Sequence, residues 1–590
     1  MRASLVLMAL FFLASVPLHA QARYTVRVDD PASRTLHVVA ELPATGASTV
    51  VSLPAWTPGH YTIGNYARFV SGFGATDAAG DTLDWEKLDP DTWRIETTGA
   101  DRVRIAFDFL ADTVNLSGSL LKDDFGFLNG TNVFLYPETG LDFASEVAFE
   151  LPDGWRIATG LTQVGPNRFS AADYDELVDA PTFFGAFGID SLEVDGVPVR
   201  LAVYPADQIG TEYGRMSFEA LGKIAGYLHD FWGGAPPYDS YTMLIYLEAE
   251  PLSFGGGLEH ANSHLDILPL QVATPQSFPG LYSLYSHEYM HAWNVKRIRP
   301  AEMWPYDYDT WQPTPLLWVS EGITDYYGDM ILERTGLWSP DELWTSFAEA
   351  AQAVADEPPY SVEDSSLETW IDVIDVSSQF YYAKGKLLGF LLDAMIRDAT
   401  DGAASLDDVM RRLYRERYQA GRGFTTDDVL DFVDDQVDPA EVRSFYERYV
   451  DGRDPLPYAE VLARVGLVYR EETTTAPYLG VGTEIGESGE AVVTDVTPES
   501  AAEAAGLREG DVLVSIGDVP VDPATDWGAA FRARYAGAEG QPLALLVRRD
   551  GAEVTLPTTV RTRERTDIVI EPDPGAGERA QRLREGLLGR

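Results

Sequence analysis

The apolar period of this chain changes twice, and no other feature restricts its architecture as much. From Tyr24 to about Tyr204 apolar residues alternate in short runs such as Tyr24-Thr25-Val26-Arg27-Val28, Leu36-His37-Val38-Val39-Ala40, Val103-Arg104-Ile105-Ala106-Phe107 and Asn132-Val133-Phe134-Leu135-Tyr136, punctuated by Gly, Pro and Asp. A period of two belongs to half-buried strands, so this part predicts an antiparallel, sandwich-like β domain. Near Gly210 the period becomes helical: Met216, Phe218, Leu221, Ile224, Ala225 and Leu228 share one face over 213–231. A strand over 241–247 follows, and then helices are expected over 281–296, 315–327, 343–355, 381–397, 406–418, 426–434 and 440–449. That order predicts an α+β domain with a helical lobe. Strands return after Gly452-Arg453-Asp454-Pro455, at Ala491-Val492-Val493 and Gly510-Asp511-Val512-Leu513-Val514-Ser515-Ile516. The expected multidomain layout is therefore a leader over 1–22, a β domain over 23–205, an α+β domain over 206–455, a linker over 456–475, a small β-rich domain over 476–566 and a disordered tail over 567–590.

With 590 residues and 45% hydrophobic content the chain can build several cores. Its 93 Asp and Glu against 44 Lys and Arg give a net charge of −49, which argues against nucleic acid or an anionic membrane as partner. The acidic surplus is spread along the chain and suits a strongly hydrated surface in salty surroundings. Met1-Arg2, an apolar run over 5–16 and Ala20-Gln21-Ala22 read as a secretory signal peptide with its cleavage site, so an exported protein, periplasmic or secreted, is expected. The run is short for a bilayer span, and no later segment resembles a transmembrane helix. Since the chain contains no cysteine, any zinc site must use histidine and carboxylate.

One stretch supplies such donors: His287-Glu288-Tyr289-Met290-His291. On a helix, imidazoles four residues apart lie on one face and can grip a single Zn²⁺, with Glu288 beside the remaining coordination position. A buried structural histidine pair would give the same spacing. A hydrolytic zinc site needs three protein ligands and one open position. Glu321, thirty positions beyond His291 and at the start of the next expected helix, is the best third ligand. Asp325, one turn later on the same face, is placed to fix the tautomer of a ligating histidine. For either acid alone, a helix-start carboxylate stabilised by the dipole is the competing account.

The residues His287-Glu288-Tyr289-Met290-His291-Ala292-Trp293-Asn294-Val295-Lys296-Arg297-Ile298-Arg299-Pro300 and Trp318-Val319-Ser320-Glu321-Gly322 strongly resemble the glycyl aminopeptidases, gluzincin metallopeptidases with a thermolysin-like catalytic domain. The likeness extends to Pro54-Ala55-Trp56-Thr57-Pro58-Gly59, a rigid aromatic turn that by itself reads as packing. It implies one Zn²⁺ per chain on His287, His291 and Glu321, with Glu288 as general base, the roles already reached from spacing. It also implies that Gly256-Gly257-Leu258-Glu259 is an exopeptidase signature, in which Glu259 pairs with the substrate's α-ammonium and the glycine backbone adds a strand to the peptide. In Tyr381-Tyr382-Ala383-Lys384-Gly385, alignment on Lys-Gly makes Tyr382 the oxyanion donor, against the plain alternative of a core aromatic. The sequence departs from the family at His60 and at Gly64, where Ser and Arg would be expected, and His260 stands where the related alanyl aminopeptidases carry Asn. These departures bear on substrate preference. The cluster Lys296, Arg297 and Arg299 either holds a peptide carboxylate or pairs with nearby acids, the second being the commoner use.

The Tyr478-Leu479-Gly480-Val481 loop, the short helix ending at Gly506-Leu507 and the Gly510-Asp511 turn together resemble a bacterial PDZ domain. This implies that the loop receives the carboxylate of a C-terminal peptide, or that the domain docks on the chain's own catalytic domain. The expected function is a zinc aminopeptidase that releases small N-terminal residues, Gly or Ala, from peptides with a free N-terminus. The alternatives are a PDZ-assisted endopeptidase acting on unfolded exported proteins, and a non-catalytic peptide-binding module with a structural zinc. Glu288 argues against the last, because a purely structural site has no use for it.

Overall fold

The computed structural model describes residues 22–590 except 45, 251, 253–254, 372–378, 487–488 and 524; all of the expected signal peptide but Ala22 lies outside the described residues. In the N-terminal domain, β1 (Ala22–Arg27), β2 (Thr35–Pro43), β3 (Arg102–Leu110) and β4 (Ser145–Glu150) belong to a seven-stranded sheet. The alternation along β2 is that of its burial, with Leu36, Val38, Ala40 and Leu42 inside. The domain is not wholly antiparallel as expected, because β1 pairs with β4 in parallel. The segment expected as a strand over 132–136 contributes only the short strand Tyr136–Pro137, preceded by a 3₁₀ turn.

The central domain starts earlier than residue 206. β5 (Gly188–Val194) and β6 (Val197–Tyr204) form a hairpin whose second strand pairs in parallel with β7 (Tyr241–Glu248). The hairpin therefore belongs to the central sheet, which continues through β9 (Ser263–Pro269) to an edge strand, β8 (Gly256–Glu259). An alternating hairpin looks the same whichever sheet it joins, since pairing is non-local. α1 (Glu212–Trp232) makes the crossover from β6 to β7. Phe125, Phe127, Phe183 and Phe187 of the N-terminal domain share one apolar cluster with Leu244, Tyr246, Leu265 and Ile267 of the central sheet, which fixes the two domains together.

Most helices of the lobe lie where their periods predict, but the second runs on to Arg334, past the expected 327, and a short helix at Val362–Glu368 was not expected. α2 (Phe278–Met290) carries the histidine motif and ends at His291, short of the expected 296. α3 (Ile323–Arg334) is entered through a π-helical turn, Trp318–Gly322, and then come α4 (Pro340–Asp356) and α5 (Phe380–Ala399). Gly322 and Gly385 let α5 approach this turn, because a Cβ on Gly322 would lie 2.5 Å from Gly385 Cα.

The expected linker is ordered as a short helix, Tyr458–Arg464, and β10 (Leu467–Pro477). β10 pairs along its whole length with β11 (Thr562–Pro572), forming a two-stranded stalk that carries a small β domain with its own core around Leu479, Val493, Leu513, Ile516, Phe531 and Leu545. The tail expected to be disordered instead forms β11 and α6 (Glu578–Leu587), which buries Leu583 and Leu587 against the helical lobe. Arg334 Nη2 donates to Leu587 O at 2.9 Å, and Arg579 pairs with Asp398 and Asp401. Three leucines in a ten-residue amphipathic stretch, Leu583, Leu587 and Leu588, were too few to stand out among the charges.

Candidate metal centre

His287 and His291 project from the end of α2 with their Nε2 atoms 2.8 Å apart. Glu321 Oε2 lies 3.2 Å from His291 Nε2 and 3.5 Å from His287 Nε2. Donors at zinc-ligand distance in a tetrahedral arrangement stand roughly 3.3 Å apart, so this triangle has the size the ion requires. The proton positions agree. His291 Nδ1 donates to Asn294 O at 2.5 Å, and His287 Nδ1 lies 2.8 Å from Asp325 Oδ1. With His291 Nδ1 donating to Asn294 O and His287 Nδ1 facing the Asp325 carboxylate, both Nε2 atoms are left to present lone pairs to each other and to a carboxylate. Three lone-pair donors converging in a buried site require a cation, and zinc on His287, His291 and Glu321 fits.

Local structure explains the convergence. Beyond His291 the chain turns, and Asn294 Nδ2 donates to Val319 O at 2.8 Å and to Thr324 Oγ1 at 3.0 Å, tying the histidine helix to the turn that bears Glu321. π-helical turns of this kind are frequent at functional sites, where they re-aim a side chain.

Glu288 points from α2 onto β8, into the space that a side chain on Gly257 would fill. Glu259, four-per-cent exposed, ends the same edge strand. Its carboxylate, that of Glu288 and an imidazole nitrogen of His291 all lie within 4.8 Å of one another. Glu259 Oε1 is buried and has no hydrogen-bond partner among the described residues. Burial pushes the carboxyl groups of Glu288 and Glu259 up, while the two imidazoles overcome the same desolvation at Glu321 and hold it well below the carboxylate range.

Tyr382 and Tyr381 start α5. The Tyr382 ring stands 6.2 Å from that of His287, whereas the Tyr381 phenol sits 3.3 Å from Thr369 Oγ1, so Tyr382 is the phenol that faces the donor cluster. Burial, then Glu321, keeps Tyr382 neutral and able to donate.

Sequence reasoning missed the part played by the aromatic turn at 54–61, read above as packing. Tyr61 donates to Glu321 Oε1 at 2.5 Å, and a Cβ on Gly59, at φ +99°, would lie 2.5 Å from Glu259 Oε2. The Pro-Gly-His-Tyr run was visible, but a partner 260 residues away was not. The basic cluster is structural. Lys296 Nζ lies 2.6 Å from Asp179 Oδ1, Arg297 donates to the carbonyls of Ala261 and Pro237, and Arg299 covers the Tyr306 ring. His260 Nδ1 lies 3.0 Å from the same Asp179.

In the small β domain, a groove of about 1030 Å³ runs beside Leu479, Gly480 and Val481, between the helix Trp527–Arg534 and the stalk, and reaches Gln352 and Asp356 of α4. Tyr478 does not serve the loop as expected, since its amide already donates to Arg561 O at 2.8 Å. No helix of the described residues is long and apolar enough to cross a membrane.

Comparison with known proteins agrees with this arrangement. The M61 peptidase N-terminal domain matches residues 23–186, the M61 glycyl aminopeptidase domain residues 280–388 and a PDZ domain residues 492–549. The first match ends where the hairpin of the central sheet begins. No curated protein matches the chain. Among solved structures, an aminopeptidase N family protein from Idiomarina loihiensis is 22% identical with a TM-score of 0.78, covering 96% of this chain and 99% of its own, which shows a shared fold. A mutant M1 zinc metallopeptidase from Deinococcus radiodurans, bound to a Tyr-Ser-Ala substrate, is 15% identical with a TM-score of 0.49 over 74% of this chain and 95% of its own.

Proposed function

The chain carries both domains of the M61 peptidases and is a zinc aminopeptidase, and from that premise we propose that it removes small residues, Gly or Ala, from free peptide N-termini. The observation that carries the exopeptidase register is Glu259 Oε1, a buried carboxylate oxygen without a partner beside Glu288 and His291. An α-ammonium is the group whose charge and donors match it. The peptide backbone then runs along β8, whose outer edge pairs with no other strand among the described residues.

Zinc, when bound, supplies a Lewis acid that polarises the scissile carbonyl and acidifies water. The chain's own groups do the rest. Glu288 takes the proton of the attacking water and returns it to the departing amine, a task that its raised pKa suits. The Tyr382 phenol donates to the carbonyl oxygen as negative charge develops there. The turn at Gly59 packs against the Glu259 carboxylate, and the likeness to the glycyl aminopeptidases supports the preference for Gly and Ala. The composition of the N-terminal segment supports export to the periplasm or medium as part of this reading, and the groove at Leu479 and Gly480 suits a C-terminal peptide.

The test compares Gly-, Ala-, Leu- and Phe-p-nitroanilide with their N-acetylated forms. Rapid cleavage of free Gly and Ala substrates and none of the blocked ones is expected. Equal cleavage of blocked substrates would remove Glu259 from its role and favour the endopeptidase reading.

A further inference from the structure

The N-terminal domain touches a ligand of the metal centre through the side chain of Tyr61. Tyr61 is buried, and its phenol donates to Glu321 Oε1 while Oε2 of the same carboxylate faces the two imidazoles. The surroundings hold it there. Ala55 N donates to Tyr308 O at 2.7 Å and Trp56 Nε1 to Asp307 O at 2.8 Å, which staples the start of the turn to the central domain. Trp370 packs edge-on against both Trp56 and Tyr61, at 5.0 and 6.1 Å. The backbone of Tyr61 is left-handed, φ +47°, a conformation costly for an aromatic residue that persists only where its surroundings impose it.

We propose that Tyr61 is a positioning residue of the metal centre, holding Glu321 Oε1 so that the carboxylate offers the cation one oxygen and not two. A carboxylate bound through both oxygens would occupy the position that a hydrolytic site keeps open. Groups that orient ligands in this way typically govern metal affinity. The inference rests on the zinc reading given above. It also gives the N-terminal domain a part in the site: the ligand set lies wholly in the central domain, yet the orientation of one ligand is set from outside it.

The experiment measures zinc affinity by competition with a chromophoric chelator, and the visible spectrum of the Co²⁺-substituted protein, for wild type, Tyr61→Phe and Tyr66→Phe. Tyr66 sits in the next turn, where its hydroxyl contacts Thr57 Oγ1 at 2.7 Å and no metal donor. Tyr61→Phe is expected to raise the zinc Kd about 10- to 100-fold and to change the Co²⁺ bands as Glu321 gains its second oxygen. Tyr66→Phe is expected to match wild type in both. Wild-type affinity and an unchanged Co²⁺ spectrum in Tyr61→Phe would overturn the proposal, as would a metal-free Tm so lowered that the loss reports unfolding. Failure of the wild type itself to bind zinc would refute the underlying zinc reading instead.

Discussion

Gly257 and Glu288 share one volume: a Cβ on Gly257 would lie 2.4 Å from Cδ and Oε1 of the Glu288 carboxyl. The glycine on the edge strand is thus the floor on which the general base rests. Gly257→Ala must swing the carboxyl away while leaving His287, His291 and Glu321 untouched. We expect kcat to fall on the order of 100-fold with one zinc retained per chain, since an ångström-scale misplacement has about that cost. Wild-type kcat with full zinc content would show that the carboxyl position is not set here.

Gly322 and Gly385 control a different placement. They bring α5 against the Glu321 turn, and α5 carries Tyr382. Gly385→Ala puts a Cβ 2.8 Å from Trp318 O and is expected to cost about 1–3 kcal/mol by overpacking, together with a fall in kcat. Urea unfolding and steady-state kinetics check both; an unchanged midpoint would contradict the packing.

Lys296, buried, pairs with the partly buried Asp179 between the central and N-terminal domains. Burial alone would push the Asp179 carboxyl up, but Lys296 and then His260 hold it well below its usual range, and Asp179 likewise holds Lys296 above the usual lysine range. A depressed carboxylate stabilises the fold above its unfolded pKa and loses that contribution as pH falls through the folded value; a raised lysine stabilises below its unfolded pKa and loses it as pH rises. The pair is therefore intact at neutral pH. Asp179→Asn, which leaves Lys296 buried and unpaired, should cost roughly 3–5 kcal/mol at pH 7, and the difference from wild type should shrink below about pH 4. A difference that grows on acidification would reverse the sign of the argument.

The C-terminal helix α6 is predicted to be a working part of the fold. Leu587 is fully buried, and Leu587→Ala should destabilise by about 2–5 kcal/mol. Limited proteolysis of the native protein should leave residues 573–590 attached. Early release of that peptide would mean that the helix is not docked.

How much of this was legible from sequence depends on the distance over which each contact acts. His287, Glu288 and His291 sit within one helical turn, and Glu321 and Asp325 within the next helix, so spacing alone groups them. The helices of the lobe were readable for the same reason. Tyr61 and Gly59 were not, because nothing local in a Pro-rich turn says which carboxylate it will meet. The β5–β6 hairpin alternates as any hairpin does, so its membership of the central sheet appears only in its pairing with β7. The tail failed through thin signal: its few leucines matter because Arg334 and Asp398 are waiting for the helix that carries them.

Glu288 is the residue on which peptide hydrolysis at this site depends most. The decisive measurement is turnover of Gly-p-nitroanilide by wild type and Glu288→Gln, each assayed for bound zinc. We predict one zinc in both proteins, abolition of wild-type activity by a chelator, and a kcat at least about 1,000-fold lower in the variant. A zinc-loaded Glu288→Gln protein that turns over at the wild-type rate would contradict that dependence.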